Sequence, residues 1–393
     1  MEQFLERLDN PHLAGTKFLH VAGTNGKGTT TRFIECILNA AGYEAGGYYS
    51  PYVYNIRERI SVRTEMVSEE MFAAAATAVK RAAEQMESTE FGGPTEFEFK
   101  TAMAFWVYRE LGLEFVSFET GLGGRLDATN VVAPVVSVIT EIGLDHQQFL
   151  GDTLEKIAFE KAGIIKPGVP CVSGVSDPRA VEVIGNRARE LGSQCWQLGE
   201  QFEFEAATDE FRVRTPLREF ASEPIHGGTS ISARNAAIAV AAIDAAAIRV
   251  TDDEVERGVA MTGLPGRLER VRKQPEVILD GAHNPQAAGA VAAVVGRCHL
   301  VYSCATGHDP AQVLEALAPY IERLYLCQMD SDRALGLEEI ALGARRIGLG
   351  FSAHRTVADA VELAVAECQV SGRILVTGSF YLLAEARAAL DLM

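Results

Sequence analysis

The chain has 393 residues, of which 48% are hydrophobic and 23% are charged, an ordinary composition for a globular protein of about two domains. Its net charge of −17 argues against binding to nucleic acid or to an anionic membrane, so local cations have to attract any anionic substrate. Seven scattered cysteines without a Cys-x-x-Cys pair indicate free thiols in a reducing cytosol. Because the first residues lack a secretory signal pattern and no apolar run could span a bilayer, we expect a cytoplasmic protein. We also expect a monomer that binds small-molecule substrates.

Strand-like apolar runs alternate with helical periodicity along the first two thirds of the chain. Four runs predict buried strands: Leu19–Ala22, Phe115–Phe118, Val135–Thr140 and Val169–Val172. Between them, Thr30–Ala41 predicts an amphipathic helix that Gly42 can end. Alternation within residues 196–220 predicts a small antiparallel patch, and an Ala-rich helix is expected over Ser232–Ala247. The alternation of strands and helices favours a mostly parallel sheet with both faces covered.

Glycine and proline at residues 262–266 predict a linker, after which the alternation starts again. The strands expected beyond it are Val277–Leu279, Leu300–Tyr302, Leu324–Leu326 and Ile374–Val376. The sequence therefore predicts an α/β protein with a P-loop-type domain over residues 1–262 and a smaller Rossmann-like α/β domain over residues 263–393.

The strongest local signal is a glycine-rich run between the first strand and the first amphipathic helix. Its candidate phosphate-binding residues are Gly23, Thr24, Asn25, Gly26, Lys27, Gly28, Thr29 and Thr30. Glycines allow backbone N–H groups to point at one anion, Lys27 supplies a cation, and Thr29 or Thr30 offers a hydroxyl to Mg²⁺. The alternative is the glycine-rich turn of a dinucleotide-binding fold, which leaves the Lys-Gly-Thr-Thr run without a role. No Asn-Lys-x-Asp element occurs, which favours ATP over GTP.

Three further residues of the first domain are candidates for the chemistry. Glu119 ends a buried strand and His146 follows another, so both can meet at the carboxyl edge of the sheet and hold Mg²⁺. Histidine is a poor Mg²⁺ ligand, however, and a capped loop end explains the pair equally well. Lys161, beside Glu160, is most simply a solvated helix lysine.

In the second domain, Arg267 follows the predicted linker, and Asp280 and His283 follow a strand and open a helix. An aspartate and a histidine at a strand end can bind ribose hydroxyls or phosphate oxygens. N-capping of the helix by Asn284, with Pro285 in its first turn, fits equally well, and both roles are compatible.

Several segments together resemble the folylpolyglutamate synthase/dihydrofolate synthase family of the Mur ligase superfamily, over nearly the whole chain. Besides the phosphate loop, they are Ser50-Pro51 with Glu58–Ile60, Phe97–Phe105, Gly121–Asn130, Gly143–His146, Glu160–Ile164, Pro265–Glu269, Asp280–Pro285 and Gly378–Leu382. They occur in the order in which the family has them.

The resemblance implies roles that the residues alone leave open. Lys27 and the loop amides would bind ATP phosphates, while Glu119 and His146 would hold one of two Mg²⁺ ions. Ser50 or Thr29 would lie near the other ion. Lys161 would match a carbamylated lysine that binds or bridges Mg²⁺. The nucleotide contacts implied further along the chain are Asn235, Arg267, Asp280 and His283.

The implied reaction is an amide synthesis in which ATP activates a folate-type carboxylate as an acyl phosphate, and the amine of glutamate displaces the phosphate. Lys27, His146, Lys161 and His283 would serve this chemistry. Two alternatives are a Mur-type ligase for a non-folate acid, and a P-loop ATPase or non-catalytic nucleotide-binding module.

Overall fold

The computed structural model describes residues 1–87, 89–207, 210–225, 230–261 and 263–391. The chain divides into two compact units, Met1–Thr262 and Gly263–Met393. Each unit contains its own sheet with a buried apolar core.

The first unit is built from short strands separated by helices. Its strands are β1 (Lys17–Ala22), β2 (Ala45–Tyr48), β3 (Ile60–Val62), β4 (Glu65–Met66), β5 (Phe115–Glu119), β6 (Val136–Ile139), β7 (Cys171–Ser173), β8 (Cys195–Gln197), β9 (Glu203–Ala206), β10 (Phe211–Arg214) and β11 (Glu219–Ser222). Its helices are α1 (Glu2–Glu6), α2 (Lys27–Ala40), α3 (Glu69–Met86), α4 (Glu96–Glu110), α5 (Gln147–Leu150), α6 (Leu154–Ala162), α7 (Pro178–Glu190), α8 (Ser230–Ala245) and α9 (Asp252–Ala260).

Eight of these strands form one sheet in the order β4-β3-β2-β5-β1-β6-β7-β8. All neighbours from β2 to β8 are parallel, whereas β3 and β4 add an antiparallel edge next to β2. The carboxyl ends of the central strands β5, β1 and β6 therefore lie side by side, which is where ligands bind in sheets of this kind. The strands β9, β10 and β11 form the antiparallel patch, as predicted for residues 196–220.

The second unit contains one six-stranded sheet in the order β12-β13-β17-β14-β15-β16. Its strands are β12 (Glu269–Lys273), β13 (Glu276–Leu279), β14 (Cys298–Tyr302), β15 (Ile321–Cys327), β16 (Ser352–His354) and β17 (Arg373–Thr377). Its helices are α10 (Pro285–Val295), α11 (Pro310–Leu317), α12 (Leu337–Arg346), α13 (Val357–Glu367) and α14 (Phe380–Ala389). Only the β12–β13 pair is antiparallel, so the mixed α/β prediction is confirmed for both units.

The predicted first amphipathic helix begins earlier than its apolar periodicity indicates. It starts at Lys27 because Gly26, with φ of 87°, turns the chain directly into the helix. Lys27, Gly28 and Thr29 consequently occupy the first turn, and the backbone N–H groups at this end have no partner within the helix. This shift matters, since it places the loop cation on the helix terminus itself.

Among the described residues, no helix is both long enough and apolar enough to cross a membrane.

Candidate functional site

The glycine-rich run turns the chain from β1 into α2 through two backbone conformations that favour glycine. Gly23 has φ of 154° and Gly26 has φ of 87°. A Cβ atom on Gly23 would lie 1.8 Å from Thr140 Oγ1, and one on Gly26 would lie 2.4 Å from Asn235 Oδ1. Both positions are therefore restricted to glycine by backbone shape and by crowding.

The loop is fastened to the end of the neighbouring strand β6. The backbone N of Thr24 donates to the carbonyl of Glu141 at 2.7 Å, and Thr140 Oγ1 donates to the carbonyl of Asn25 at 2.7 Å. Thr24 Oγ1 and the backbone of Gly143 exchange hydrogen bonds of 3.0 and 3.1 Å. These contacts within the protein fix the backbone of the loop, and such rigidity favours the binding of an anion such as phosphate.

The loop also receives side chains from its own helix and from α8. Lys27 Nζ donates to the Thr24 carbonyl at 3.3 Å, so the ammonium folds back over the loop. Thr30 Oγ1 donates to Asn235 Oδ1 at 3.4 Å, in a buried contact. With Thr30 engaged in this way, the half-buried Thr29 is the first-turn threonine better placed to offer its hydroxyl to a cation.

Glu119 lies at the carboxyl end of β5 and is 2% exposed. Its Oε2 accepts a hydrogen bond of 3.0 Å from the backbone N of Ser50, which follows β2. Because β2 and β5 are neighbours in the sheet, two residues 69 positions apart meet at one edge. A buried carboxylate and a hydroxyl residue thus stand side by side, next to the strand that carries the phosphate loop.

His146 lies beyond the end of β6, at the N-cap of the short helix α5, with φ of 48°. Its backbone N donates to Oδ1 of Asp145 at 2.8 Å, and Asp145 is 8% exposed. The backbone of Gly143, three residues earlier, is bonded to Thr24 of the phosphate loop. The loop carrying Asp145 and His146 is therefore attached to the phosphate loop.

The interpretation of Lys161 as a solvated helix lysine is wrong. The side chain is 4% exposed, and its Nζ donates to the carbonyl of Gly23 at 2.7 Å. Glu160 does not neutralise it, because that carboxylate pairs with Arg125 at 2.9 Å. Burial, reinforced by the neighbouring Lys27 ammonium, lowers the pKa of Lys161 to about 7.

In the second unit, Asp280 follows β13 and is 5% exposed. It accepts hydrogen bonds from the backbone N of Leu268 at 2.8 Å and of Ala282 at 2.9 Å, and burial raises its pKa. The guanidinium of Arg267 lies over the ring of Phe380 at 4.0 Å. Asp280 therefore fixes the backbone beside Arg267, so the two predicted residues belong to one cluster.

His283 belongs to the same cluster, since its ring lies 6.0 Å from that of Phe380 and 5.1 Å from that of His308. Its Nδ1 is bonded to the carbonyl of Gly281 at 2.8 Å, an acceptor that selects the Nδ1–H tautomer. Asn284 caps α10 by accepting from the backbone N of Ala287 at 2.9 Å, with Pro285 in the first turn, so the capping role is confirmed.

Sequence reasoning missed the residues that hold the loops rather than those that carry charge. Thr140 and Glu141 anchor the phosphate loop. Their position could have been recognised from the sequence, because both are polar residues at the end of a predicted strand. Asp127 Oδ2 accepts from the backbone N of Gly121 and Leu122 at 3.0 and 2.8 Å, which shapes the loop after Glu119. Phe380 was singled out only within the Gly378–Leu382 segment of the family resemblance, and its contact with Arg267 could not be read from the sequence because only the fold brings the two together.

Comparison with known proteins agrees with this arrangement. The family model of the Mur ligase middle domain matches residues 21–209, and that of the Mur ligase glutamate ligase domain matches residues 266–380. A dihydrofolate synthase/folylpolyglutamate synthase of Bacillus subtilis is 34% identical, over 99% of this chain and 94% of its own. The Escherichia coli protein of the same description is 33% identical, over 94% and 86%.

Solved structures give the same result. Escherichia coli FolC in complex with DHPP and ADP superposes with a TM-score of 0.90 at 30% identity, over 99% of this chain and 92% of its own. The bifunctional folylpolyglutamate synthase/dihydrofolate synthase of Yersinia pestis, complexed with AMPPNP and Mn ion, gives 0.90 at 31% identity, over 100% and 92%. Fold and site together define an ATP-dependent ligase of the Mur type. Within that class, the chain belongs to the folylpolyglutamate synthase/dihydrofolate synthase family.

Proposed function

We propose that this chain joins a folate-type carboxylate, dihydropteroate or tetrahydrofolate, to L-glutamate in an ATP-dependent reaction that passes through an acyl phosphate. The observation that carries the proposal is the phosphate loop, with Lys27 folded over it and Lys161 bonded to Gly23, beside the Glu119–Ser50 pair. The names of the relatives support the folate and glutamate part, since they describe dihydrofolate and folylpolyglutamate synthases.

The phosphate loop would bind the ATP phosphates through the backbone N–H groups of residues 23–30 and the N-terminus of α2. Lys27 Nζ bonds only a neutral carbonyl of its own loop, at 3.3 Å, among the contacts described for it. A terminal phosphate is a stronger acceptor for an ammonium than a carbonyl. Lys27 would therefore turn to the γ-phosphate and offset the negative charge that develops during transfer.

The donor set next to the loop fits a hard divalent cation. Glu119 contributes a carboxylate that is 2% exposed, Ser50 and Thr29 contribute hydroxyls, and His146 adds an imidazole. Oxygen donors suit Mg²⁺, and the imidazole also suits Mn²⁺, the ion in the Yersinia pestis structure. When bound, the cations would offset phosphate charge and align the nucleotide for in-line transfer.

The environment of Lys161 supports carbamylation at this position. A neutral amine is the form that reacts with CO₂, and burial together with Lys27 lowers the pKa of Lys161 to about 7. The Nζ lone pair adds to the carbon of CO₂, one C=O electron pair moves onto oxygen, and a proton leaves Nζ, so a neutral buried amine becomes an anion near Lys27. The product offers carboxylate-type oxygens beside the phosphate loop, where a lone ammonium would repel Lys27 and the cations.

Carbon-13 NMR after incubation with labelled bicarbonate tests this modification. We expect one protected carbamate signal that is absent from a Lys161→Arg variant, because an arginine side chain stays charged and does not add CO₂. A Lys166→Arg variant, which alters a lysine five residues further along the chain, is the matched control and should retain the signal. If wild type shows no such signal, Lys161 acts as an amine.

Residues on α8 and in the second unit are further candidates for contacts to the nucleotide. Asn235 lies against the phosphate loop through Gly26 and Thr30. Arg267, Asp280 and His283 form one cluster, in which a guanidinium and an imidazole are held for polar contacts to phosphate or ribose oxygens. Asp280 supports Arg267 through the backbone of Leu268.

The reaction would proceed in two steps. A carboxylate oxygen of the folate-type acid attacks the γ-phosphorus while ADP leaves, and Lys27 stabilises the equatorial oxygens. The glutamate amine then attacks the acyl carbon, and collapse of the tetrahedral intermediate releases phosphate and leaves an amide. Thr140 holds the phosphate loop through its hydrogen bond to Asn25, and a fixed loop would keep the bound phosphates aligned with the attacking carboxylate. Positioning of this kind accounts for much of the rate enhancement in bimolecular reactions.

Mass spectrometry of the products from a panel of acids and amino acids tests the function. With Mg-ATP and glutamate, we expect amide products from dihydropteroate or tetrahydrofolate, and phosphate release that depends on both substrates. A Lys27→Met variant should lose about 10²-fold or more in turnover, since a preorganised charge contact is removed. Amide products from non-folate acids alone would identify a different Mur-type ligase, and acid-independent phosphate release would identify an ATPase.

A further inference from the structure

The middle of α2 carries a carboxylate for which the proposed reaction has no use. Glu35 lies on the same helix as Lys27 and is 0% exposed. Its Oε1 accepts from Ser61 Oγ at 2.5 Å and from the backbone N of Thr64 at 3.0 Å. Its Oε2 accepts from the hydroxyl of Tyr49 and from Arg32 Nη1 at 3.2 Å. A buried charge is tolerated only with such a set of donors, so the helix is fixed to two other segments, the residue that follows β2 and the β3–β4 hairpin.

One of these segments leads directly to the proposed cation site. Tyr49 is the residue before Ser50, and it is 5% exposed. The Tyr49 hydroxyl donates to Glu35 Oε2 in a buried contact. The next backbone N, that of Ser50, donates to Glu119 at 3.0 Å. Two consecutive residues thus connect α2 with the end of β5.

We propose that Glu35 is a positioning residue for the divalent cation, acting through the hydroxyl of Tyr49 to fix the backbone at Ser50. The inference rests on the proposed function, because it takes Ser50 and Glu119 as donors to the cation. The physical reason is that α2 carries Lys27 and Thr29 at its first turn and Glu35 in its middle. A rigid helix therefore sets the distance between the phosphate-binding end and the Ser50 hydroxyl, as outer partners of metal ligands commonly do.

The chain offers a matched pair of variants that separates positioning from simple support of the fold. Tyr49→Phe and Ser61→Ala each remove one hydroxyl from the same carboxylate, at residues that are 5% and 4% exposed. Both should lower the melting temperature, since each leaves Glu35 with one donor fewer. Only Tyr49 is adjacent to Ser50, so only Tyr49→Phe should disturb the cation site.

The readout is the affinity for Mn²⁺ in the presence of AMPPNP, measured by electron paramagnetic resonance on the full chain. We expect Tyr49→Phe to weaken Mn²⁺ binding about tenfold, the lower end of the range for lost partners of metal ligands. Ser61→Ala should change it by less than about twofold. Glu35→Gln, which keeps the side-chain volume but lacks the charge that orders Tyr49, should weaken Mn²⁺ binding in the same direction as Tyr49→Phe.

Equal weakening by Tyr49→Phe and Ser61→Ala would overturn the inference, because it would show that Glu35 only supports the fold. Unchanged Mn²⁺ affinity in Tyr49→Phe would overturn it as well. A Glu119→Gln variant distinguishes this failure from failure of the site itself. If Glu119→Gln weakens binding while Tyr49→Phe does not, only the positioning role is rejected. If neither changes the affinity, the proposed cation site is rejected along with it.

Discussion

His20 shows how a single buried side chain supports the loop that follows Glu119. It is 0% exposed in β1, and its Nε2 lies 2.8 Å from Thr129 Oγ1. The Thr129 hydroxyl donates to Asp127 Oδ1 at 2.5 Å, so its oxygen accepts a hydrogen bond from the Nε2–H of His20, which fixes that tautomer. Asp127 in turn holds the backbone of Gly121 and Leu122. The neutral His20 therefore helps to hold the conformation of the loop that follows Glu119.

The burial of His20 predicts that the protein loses stability in acid through this one residue. Burial, with a contribution from Lys166, lowers the pKa of His20 to about 3, whereas the unfolded chain binds the proton near 6.5. Between these values the unfolded state holds more protons, so stability falls as the pH falls through that window. One pKa unit corresponds to about 1.4 kcal/mol, so the step from pH 7 to pH 5 should remove about 2 kcal/mol of unfolding free energy.

Urea denaturation followed by tryptophan fluorescence measures this loss of unfolding free energy. The signal reports on the unit that contains His20, because Trp106 and Trp196 both lie in the first unit. A His20→Gln variant keeps a donor for Thr129 and has no titrating group, so its stability should change by about 2 kcal/mol less over the same pH step. A His354→Gln variant is the control, since His354 lies in the second unit. Identical pH dependence in wild type and His20→Gln would contradict the assignment.

Residues whose role depends on a local pattern were predicted from the sequence, whereas those that act across the fold were not. The phosphate loop, Glu119 and Asp280 were recognisable because each follows a strand-like run directly. Lys161 reaches Gly23 across 138 positions and Asn235 reaches Thr30 across 205, so their surroundings were invisible to local reasoning. Only the family resemblance pointed to these two residues. The burial of Lys161 explains why it differs from an ordinary helix lysine.

At the scale of elements, hydrophobic periodicity predicted the existence of the central strands and of α2 and α8. The boundaries moved by one to three residues at positions where backbone conformation decides, as Gly26 does for α2. The antiparallel edge formed by β3 and β4 was missed. Its strands have three and two residues, and the turn between them uses Arg63 and Thr64 with φ of 51° and 69° rather than glycine. Neither feature leaves the usual sequence signal of a hairpin.

The order of the strands was also beyond a local reading, although it creates the site. The chain forms β1 and then β2, yet β5 inserts between them in the sheet. This insertion brings Glu119 between the phosphate loop and Ser50, because the ends of three neighbouring strands now meet. A sequence that specifies each strand by its apolar run leaves that order open, since parallel strands of similar composition are interchangeable by pattern alone.

At the scale of the whole molecule, the chain consists of two units with separate apolar cores. The phosphate loop, Glu119, His146, Lys161 and Asn235 all belong to the first unit, while Arg267, Asp280 and His283 belong to the second. The family models divide in the same manner, with a middle domain over residues 21–209 and a glutamate ligase domain over residues 266–380. The residues proposed to bind the phosphates and the second-unit residues proposed to contact the nucleotide therefore belong to different units of the chain.

Separate expression of residues 1–262 and residues 263–393 tests this division. Each fragment should unfold cooperatively in thermal melts, because each has its own sheet and core.

The first fragment should bind AMPPNP with Mg²⁺, since it retains the phosphate loop and Glu119, but its affinity should fall at least about tenfold without the second-unit cluster. It should form no amide product, as it lacks Arg267, Asp280 and His283. An Asn235→Ala variant of the first fragment is the control, because it keeps α8 and its share of the apolar core, and it should bind AMPPNP more weakly than the unaltered fragment. Amide formation by residues 1–262 alone would show that the chemistry is complete in the first unit.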